Sequence, residues 1–119
     1  MKKIIFLIFI YLVSTSVSAG SIACSGKIDM LFAKRDGKIE LYSEELYGSS
    51  QGRTLCDMTA EWKGVDTNTC KTWYSNLLAQ SSQNKPAVVY YLDTEVNNCT
   101  SISTFNNAAS PFGIADNVK

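Results

Sequence analysis

The sequence predicts a small, mainly β domain with one helix, stapled by two disulfides. Short alternating or β-branched runs are separated by turn residues, helical periodicity occurs only between Asp66 and Pro86, and four cysteines follow an N-terminal leader-like segment. About 100 residues remain after that leader, enough for one modest hydrophobic core.

The chain begins MKKIIFLIFIYLVSTSVSAG. Lys2 and Lys3 form a basic start, Ile4 to Val13 an apolar run, and Val17-Ser18-Ala19 a small-residue cleavage site. This is the pattern of a secretory signal peptide over residues 1–19, cleaved after Ala19 and leaving a domain over residues 20–119. An uncleaved anchor would need roughly 20 apolar residues, whereas this run stops at Ser14. Lipidation at Cys24 would leave three cysteines unpaired. The expected address is therefore secreted or periplasmic, with no membrane span in the mature form. Cleavage removes two of 11 basic residues and none of the 11 acidic ones, for a mature net charge of about −2. No basic patch points to nucleic acid.

Lys27 to Ala33 (KIDMLFA) alternates and reads as a strand with Ile28, Met30 and Phe32 on one face. Asp36-Gly37 signals a hairpin, and Lys38 to Ser43 returns with Ile39 and Leu41 on one side. Tyr47 to Arg53 reads as a polar loop and Arg53 to Met58 as a third strand. Asp66 or Thr67 can cap the helix, in which Cys70, Trp73, Tyr74, Leu77 and Leu78 make one apolar stripe, and Asn84 and Pro86 end it. Ala87 to Leu92 (AVVYYL) is a well-covered strand, Cys99 to Phe105 is strand-compatible, and a last short strand fits around FGIADNV. The order β-β-β-α-β-β is that of an OB-fold, a five- to six-stranded Greek-key barrel whose helix completes the core.

Four cysteines in an exported chain read as two disulfides with three possible connectivities. The preferred pairing is Cys56–Cys70, closing a short loop at the helix start, with Cys24–Cys99 joining the two ends of the domain. A metal site would want close Cys-x-x-Cys spacing or histidine partners, and the chain has no histidine. No metal and no cofactor is expected. The missing histidines also remove the commonest general base, and oxidised cysteines offer no thiolate. Glu44-Glu45 reads as a solvated edge rather than an acid–base pair. The expectation is a binding protein, not an enzyme. Trp73 lies on the helix stripe and reads as core, while Trp62, in the loop AEWKGVD, is a candidate ring for a sugar or a partner or else folds over the core.

Thr54 to Leu92 (TLCDMTAEWKGVDTNTCKTWYSNLLAQSSQNKPAVVYYL) resembles the strand–helix–strand centre of the B subunits of AB-type bacterial toxins, those of subtilase cytotoxin and typhoid toxin in particular. It is also similar to small secreted hypothetical proteins of marine bacteria with the same cysteine and Trp-Lys-Gly pattern. Tyr91 to Lys119 is similar in layout to the tails of the cholera toxin and heat-labile enterotoxin B subunits, whose early and late cysteines pair as Cys24–Cys99 would. The resemblance implies an OB-fold protomer, a homopentameric ring formed through strand edges, a possible toxin A subunit as partner, and a sialylated or other cell-surface glycan as ligand. The family's sialic-acid-binding serine falls at Cys24, making its neighbour Ser25 the candidate, alongside Trp62. A basic residue the family uses after the helix falls near Val88, and CTSIS lacks the enterotoxins' ganglioside-binding tryptophan. The alternative is a stand-alone secreted or periplasmic inhibitor or envelope factor that keeps the scaffold without a sugar site.

Overall fold

The computed structural model describes residues 20–115. Six strands run β1 Ser21–Gly26, β2 Met30–Ala33, β3 Lys38–Tyr42, β4 Arg53–Asp57, β5 Ala87–Leu92 and β6 Gly113–Ala115. A one-turn helix α1 (Glu44–Tyr47) precedes β4, and the long helix α2 (Thr67–Ser82) lies between β4 and β5. The strands form two antiparallel three-stranded sheets, ordered β1-β5-β6 and β2-β3-β4.

The hairpin at Asp36-Gly37 forms as its sequence predicts: Gly37 takes φ 98° and Lys38 N–H donates to Asp36 Oδ1 at 3.0 Å. Ile39 and Leu41 are both fully buried. Between Ile39 and Glu40 the pairing slips from Cys56 to Thr54, leaving Leu55 as a bulge residue, and all of β4 is buried. The expected strand over Lys27–Ala33 is shorter, and Met30 and Phe32 share a face as expected. Leu31 lies opposite buried Leu41 and shares its inward face, so Met30 and Phe32 point out, 47% and 45% exposed. Alternation groups residues by face without saying which face is inside.

β1 carries no strong strand signal in SIACSG, yet pairs with β5 along its whole length. Cys99 to Phe105 is not a strand. Asn98 accepts from Thr100 N–H and Ser101 Oγ from Asn98 N–H, closing a single 3₁₀ turn over Cys99–Ser101. Likewise Ser43 caps α1 through Leu46 N–H, Gly48 ends it at φ 80°, and Glu44 and Glu45 occupy its first turn, where carboxylates suit the helix dipole. Glu45 also accepts from Lys27 N–H at 2.6 Å.

Asp66 caps α2, accepting from Thr69 N–H at 2.7 Å, and Asn84 leaves the helix at φ 58° before Pro86. The buried stripe is Cys70, Trp73, Leu77 and Gln80, narrower than the expected one. Tyr74 is half-buried and Leu78 exposed, because α2 meets the sheets along a seam facing β4 and β5. Gln80 is buried in Leu78's stead, with Nε2 donating to Ala115 O at 2.9 Å.

One core draws on both sheets and both helices, with Leu41, Leu55, Val89, Tyr91, Leu46 and Leu77 at its centre. Disulfides Cys24–Cys99 and Cys56–Cys70 span 75 and 14 residues; the first ties β1 to the 3₁₀ turn, the second ties β4 to the first turn of α2. Bonded cysteines of this kind fit an extracellular or periplasmic protein. The predicted signal peptide, residues 1–19, lies outside the described residues, within which no helix is long and apolar enough to cross a membrane. The β1–β2 connection links the sheets, and one isolated parallel bridge ties β4 to the late loop, where Phe105 N–H donates to Gly52 O at 2.8 Å and Thr54 N–H to Phe105 O at 3.2 Å. Among the described residues no continuous ladder closes the two sheets into a barrel.

Candidate functional site

The turn before α2 gathers the groups that frame the site. Trp62 and Val65 exchange both backbone hydrogen bonds at 3.0 Å, and Lys63 and Gly64 between them take φ 47° and 87°. Two left-handed central residues make a tight two-residue turn, which the glycine permits. The Lys63 ammonium sits 4.7 Å from the centre of the Trp62 ring and donates to Asn106 O at 2.9 Å and Ala108 O at 2.7 Å. Ser110 Oγ donates back to Lys63 O at 2.8 Å. The turn thus clasps the 106–110 segment, and the ring proposed for a sugar has one face covered by a cation.

Beside this clasp opens a cleft of about 280 Å³. The α2 N-cap Asp66, Thr69 and Trp73 of α2, and Leu92, Glu95 and Phe112 are among the residues that line it. A second cleft of about 300 Å³ adjoins it, lined by Glu95, Asn97, Ser101, Ser103 and Asn107 among others. Glu95 lines both, so the two clefts neighbour each other at that residue and are treated together as a groove. Phe112 is 64% exposed, while its backbone N–H donates to Tyr90 O at 2.7 Å and holds the ring's base against β5.

Two carboxylates share the first cleft, a pairing that calls for a chemical reading. Asp66 accepts hydrogen bonds from Thr69, which hold its carboxyl below the usual carboxylate range. A group locked as an ionised helix cap is a hydrogen-bond acceptor, not a proton donor. Among the described residues no group of three or more histidine, cysteine, aspartate or glutamate side chains is placed to hold a metal, and both disulfides consume the thiols.

Arg53 supports the second cleft from beneath. Its buried guanidinium donates through Nε and Nη2 to Ile102 O at 3.2 and 2.9 Å, and through Nη1 to Ser49 Oγ at 2.9 Å and Gln51 O at 2.7 Å. Ile102 lies between the lining residues Ser101 and Ser103, so Arg53 anchors the segment that carries them. The guanidinium also lies 4.7 Å from the centre of the Tyr47 ring. Tyr47 and Tyr91 share a buried hydroxyl–hydroxyl bond of 2.8 Å. Burial pushes Tyr91 up to about 12 and Tyr47 well above its ordinary value.

Ser25 is exposed on β1 opposite Val88 and lines neither half of the groove. Trp62 does not line the groove either; only its neighbour Lys63 does. The two residues singled out from the sequence are thus not brought together in one cleft. A third cleft of about 290 Å³, at the other end of α2, is bordered by Lys27, Ser81 and Lys85 and contains neither of them. The groove residues Glu95, Asn107 and Phe112 escaped sequence reasoning, although the run of asparagine, serine and threonine from Asn97 to Asn107 signals a segment rich in hydrogen-bonding groups. Comparison with protein-family models, with curated proteins and with solved structures gives no match for this chain.

Proposed function

We propose that this chain is an exported, non-catalytic binding module of OB-fold type that recognises cell-surface glycans and assembles as a homopentamer in the manner of toxin B subunits. The strand order carries the reading. Counting β1 and β2 as one interrupted strand would string the two sheets in the order β4-β3-β2/β1-β5-β6, an open sequence compatible with a five-stranded Greek key whose helix lies between the third and fourth strands. The parallel bridge from β4 to Phe105 falls where such a barrel brings its third strand beside the segment leading to its fifth. The sequence resemblance points the same way. β2 offers an outer edge carrying exposed Met30 and Phe32, a surface suited to pairing with another protomer. A toxin A subunit is the corresponding partner.

The test combines native mass spectrometry with a glycan array, both on the oxidised mature protein. The proposal expects a five-protomer mass and selective retention of glycans. One observation favours a second reading, a stand-alone inhibitor or envelope factor: the Trp62 ring is covered by Lys63, and Ser25 lines none of the three clefts. A monomer that retains no glycan would establish that reading over the first.

A further inference from the structure

We infer that the groove astride Glu95 is a carbohydrate site selective for uncharged oligosaccharides of two or more units, with one sugar stacked on Phe112 and the next held among Asn97, Ser101, Ser103 and Asn107. The inference rests on the glycan-binding reading above and names the place and ligand class that reading leaves open. Three features point to it.

The first is the division of labour along the groove. One half is lined by the aromatic and aliphatic side chains Phe112, Trp73 and Leu92 together with polar groups such as Thr69 and Ser110, and the other chiefly by amides and hydroxyls. A pyranose has the same two aspects, a C–H face that packs on an aromatic ring and a rim of hydroxyls that needs donors and acceptors. Among the described residues Phe112 is the most exposed of the large apolar side chains, and its backbone bond to Tyr90 anchors the main chain from which the ring projects.

The second is length. Clefts of about 280 and 300 Å³ meet at Glu95, so the groove continues past a single sugar. Among the described residues the Glu95 carboxylate has no ion-pair or hydrogen-bond partner, leaving both oxygens to accept from hydroxyls of the units on either side.

The third is charge. The ionic side chains lining the groove are Lys63, Asp66 and Glu95. The Lys63 ammonium donates to Asn106 O and Ala108 O, neutral partners that leave its charge in place, so the lining sets two carboxylates against one cation and is net negative. Like charges brought together in a partly desolvated cleft repel, so the carboxylate of a sialic acid is disfavoured here and a neutral sugar is not.

The oxidised mature protein is titrated with neutral di- to tetrasaccharides ending in galactose, glucose, mannose or N-acetylglucosamine, and with the sialylated counterpart of the galactose-terminated tetrasaccharide. The expected result is binding of a neutral member, with the sialylated form weaker by about tenfold or more. Phe112→Ala and Glu95→Gln each weaken the neutral ligand about tenfold, and Glu95→Gln also narrows the gap between neutral and sialylated forms. Ser25→Ala leaves both affinities unchanged, and matching urea midpoints establish that each variant folds. Preference for the sialylated ligand, or wild-type affinity in both Phe112→Ala and Glu95→Gln, overturns the groove while glycan binding stands. Binding of no carbohydrate at all overturns both.

Discussion

Replacing Arg53 with methionine keeps most of the side chain's volume and removes its charge and every donor. The structure then leaves the carbonyls of Ile102 and Gln51 without these partners, and Ser49 Oγ keeps only the Gln51 N–H. The buried Ile102 carbonyl left unpaired costs about 1–3 kcal/mol, the less buried Gln51 and Ser49 acceptors less because water reaches them, and loss of the contact with the Tyr47 ring adds about 0.5–2 kcal/mol. Against this stands relief of a buried guanidinium that no ion-paired carboxylate accompanies among the described residues, worth several kcal/mol in unfavourable cases. Arginine is weakly hydrated and its fork is filled, so that relief only partly offsets the loss. The net expectation for Arg53→Met is a destabilisation of about 2–4 kcal/mol, a large fraction of a small domain's stability. Urea unfolding of the oxidised protein, read as a midpoint shift at constant slope, measures it. Hydrogen exchange gives a second readout: amides of residues 99–105 should exchange faster, since Ile102 O anchors that segment. A variant as stable as the parent, or more so, would mean that the cost of burying the charge exceeds the value of the clasp, and would refute the reasoning.

The Tyr47–Tyr91 pair implies an alkaline limit. Both hydroxyls are raised when folded, so the stability they contribute is complete below the ordinary tyrosine value of about 10 and is lost as pH climbs through about 12; unfolding followed by ultraviolet absorbance of tyrosinate should coincide with loss of far-ultraviolet circular dichroism. Paired alanine replacement of Cys24 and Cys99, whose loop spans 75 residues, should cost about 4–5 kcal/mol on chain entropy, against about 3 kcal/mol for Cys56 and Cys70, which span 14; reversal of that order in urea unfolding would assign the larger share to packing of the fully buried Cys56 and Cys70. Gly26→Ala places a Cβ 2.7 Å from the backbone nitrogen of Leu46 and 2.9 Å from Glu45 Cβ, so α1 must move, at a cost of about 1–3 kcal/mol in the same assay. Gly113→Ala, with nothing within 4 Å of the added atom, should be close to neutral.

The parts of the fold that sequence discloses are those whose signals are local. Asp66 ahead of a helical stripe, Asp36-Gly37 between alternating runs, and the β-branched Ala87–Leu92 stretch each state their conformation within a few residues, and the structure agrees. Less is legible where a partner distant in sequence decides. β1 is a strand because β5 pairs with it, not because Ser-Ile-Ala-Cys-Ser-Gly favours extension. Met30 and Phe32 face outward because Leu31 is aligned with Leu41. The Cys99–Ser101 turn and α1 are decided by single capping side chains, Asn98 and Ser43, whose effect outweighs short-range strand propensity. The site is harder still to read, because Glu95 and Phe112 acquire meaning only when the clasp from Lys63 to Asn106 and Ala108 brings the late loop beside the first turn of α2.

The proposed groove places ligand recognition on the face between the first turn of α2 and residues 95–112. Amide chemical-shift mapping with the tightest-binding oligosaccharide locates the contact residue by residue. Saturable shifts are expected at Glu95, Asn97, Ser101, Ser103, Asn107 and Phe112, with the β2-β3-β4 sheet unaffected. Shifts confined to that sheet, or to the neighbourhood of Ser25, would contradict that placement.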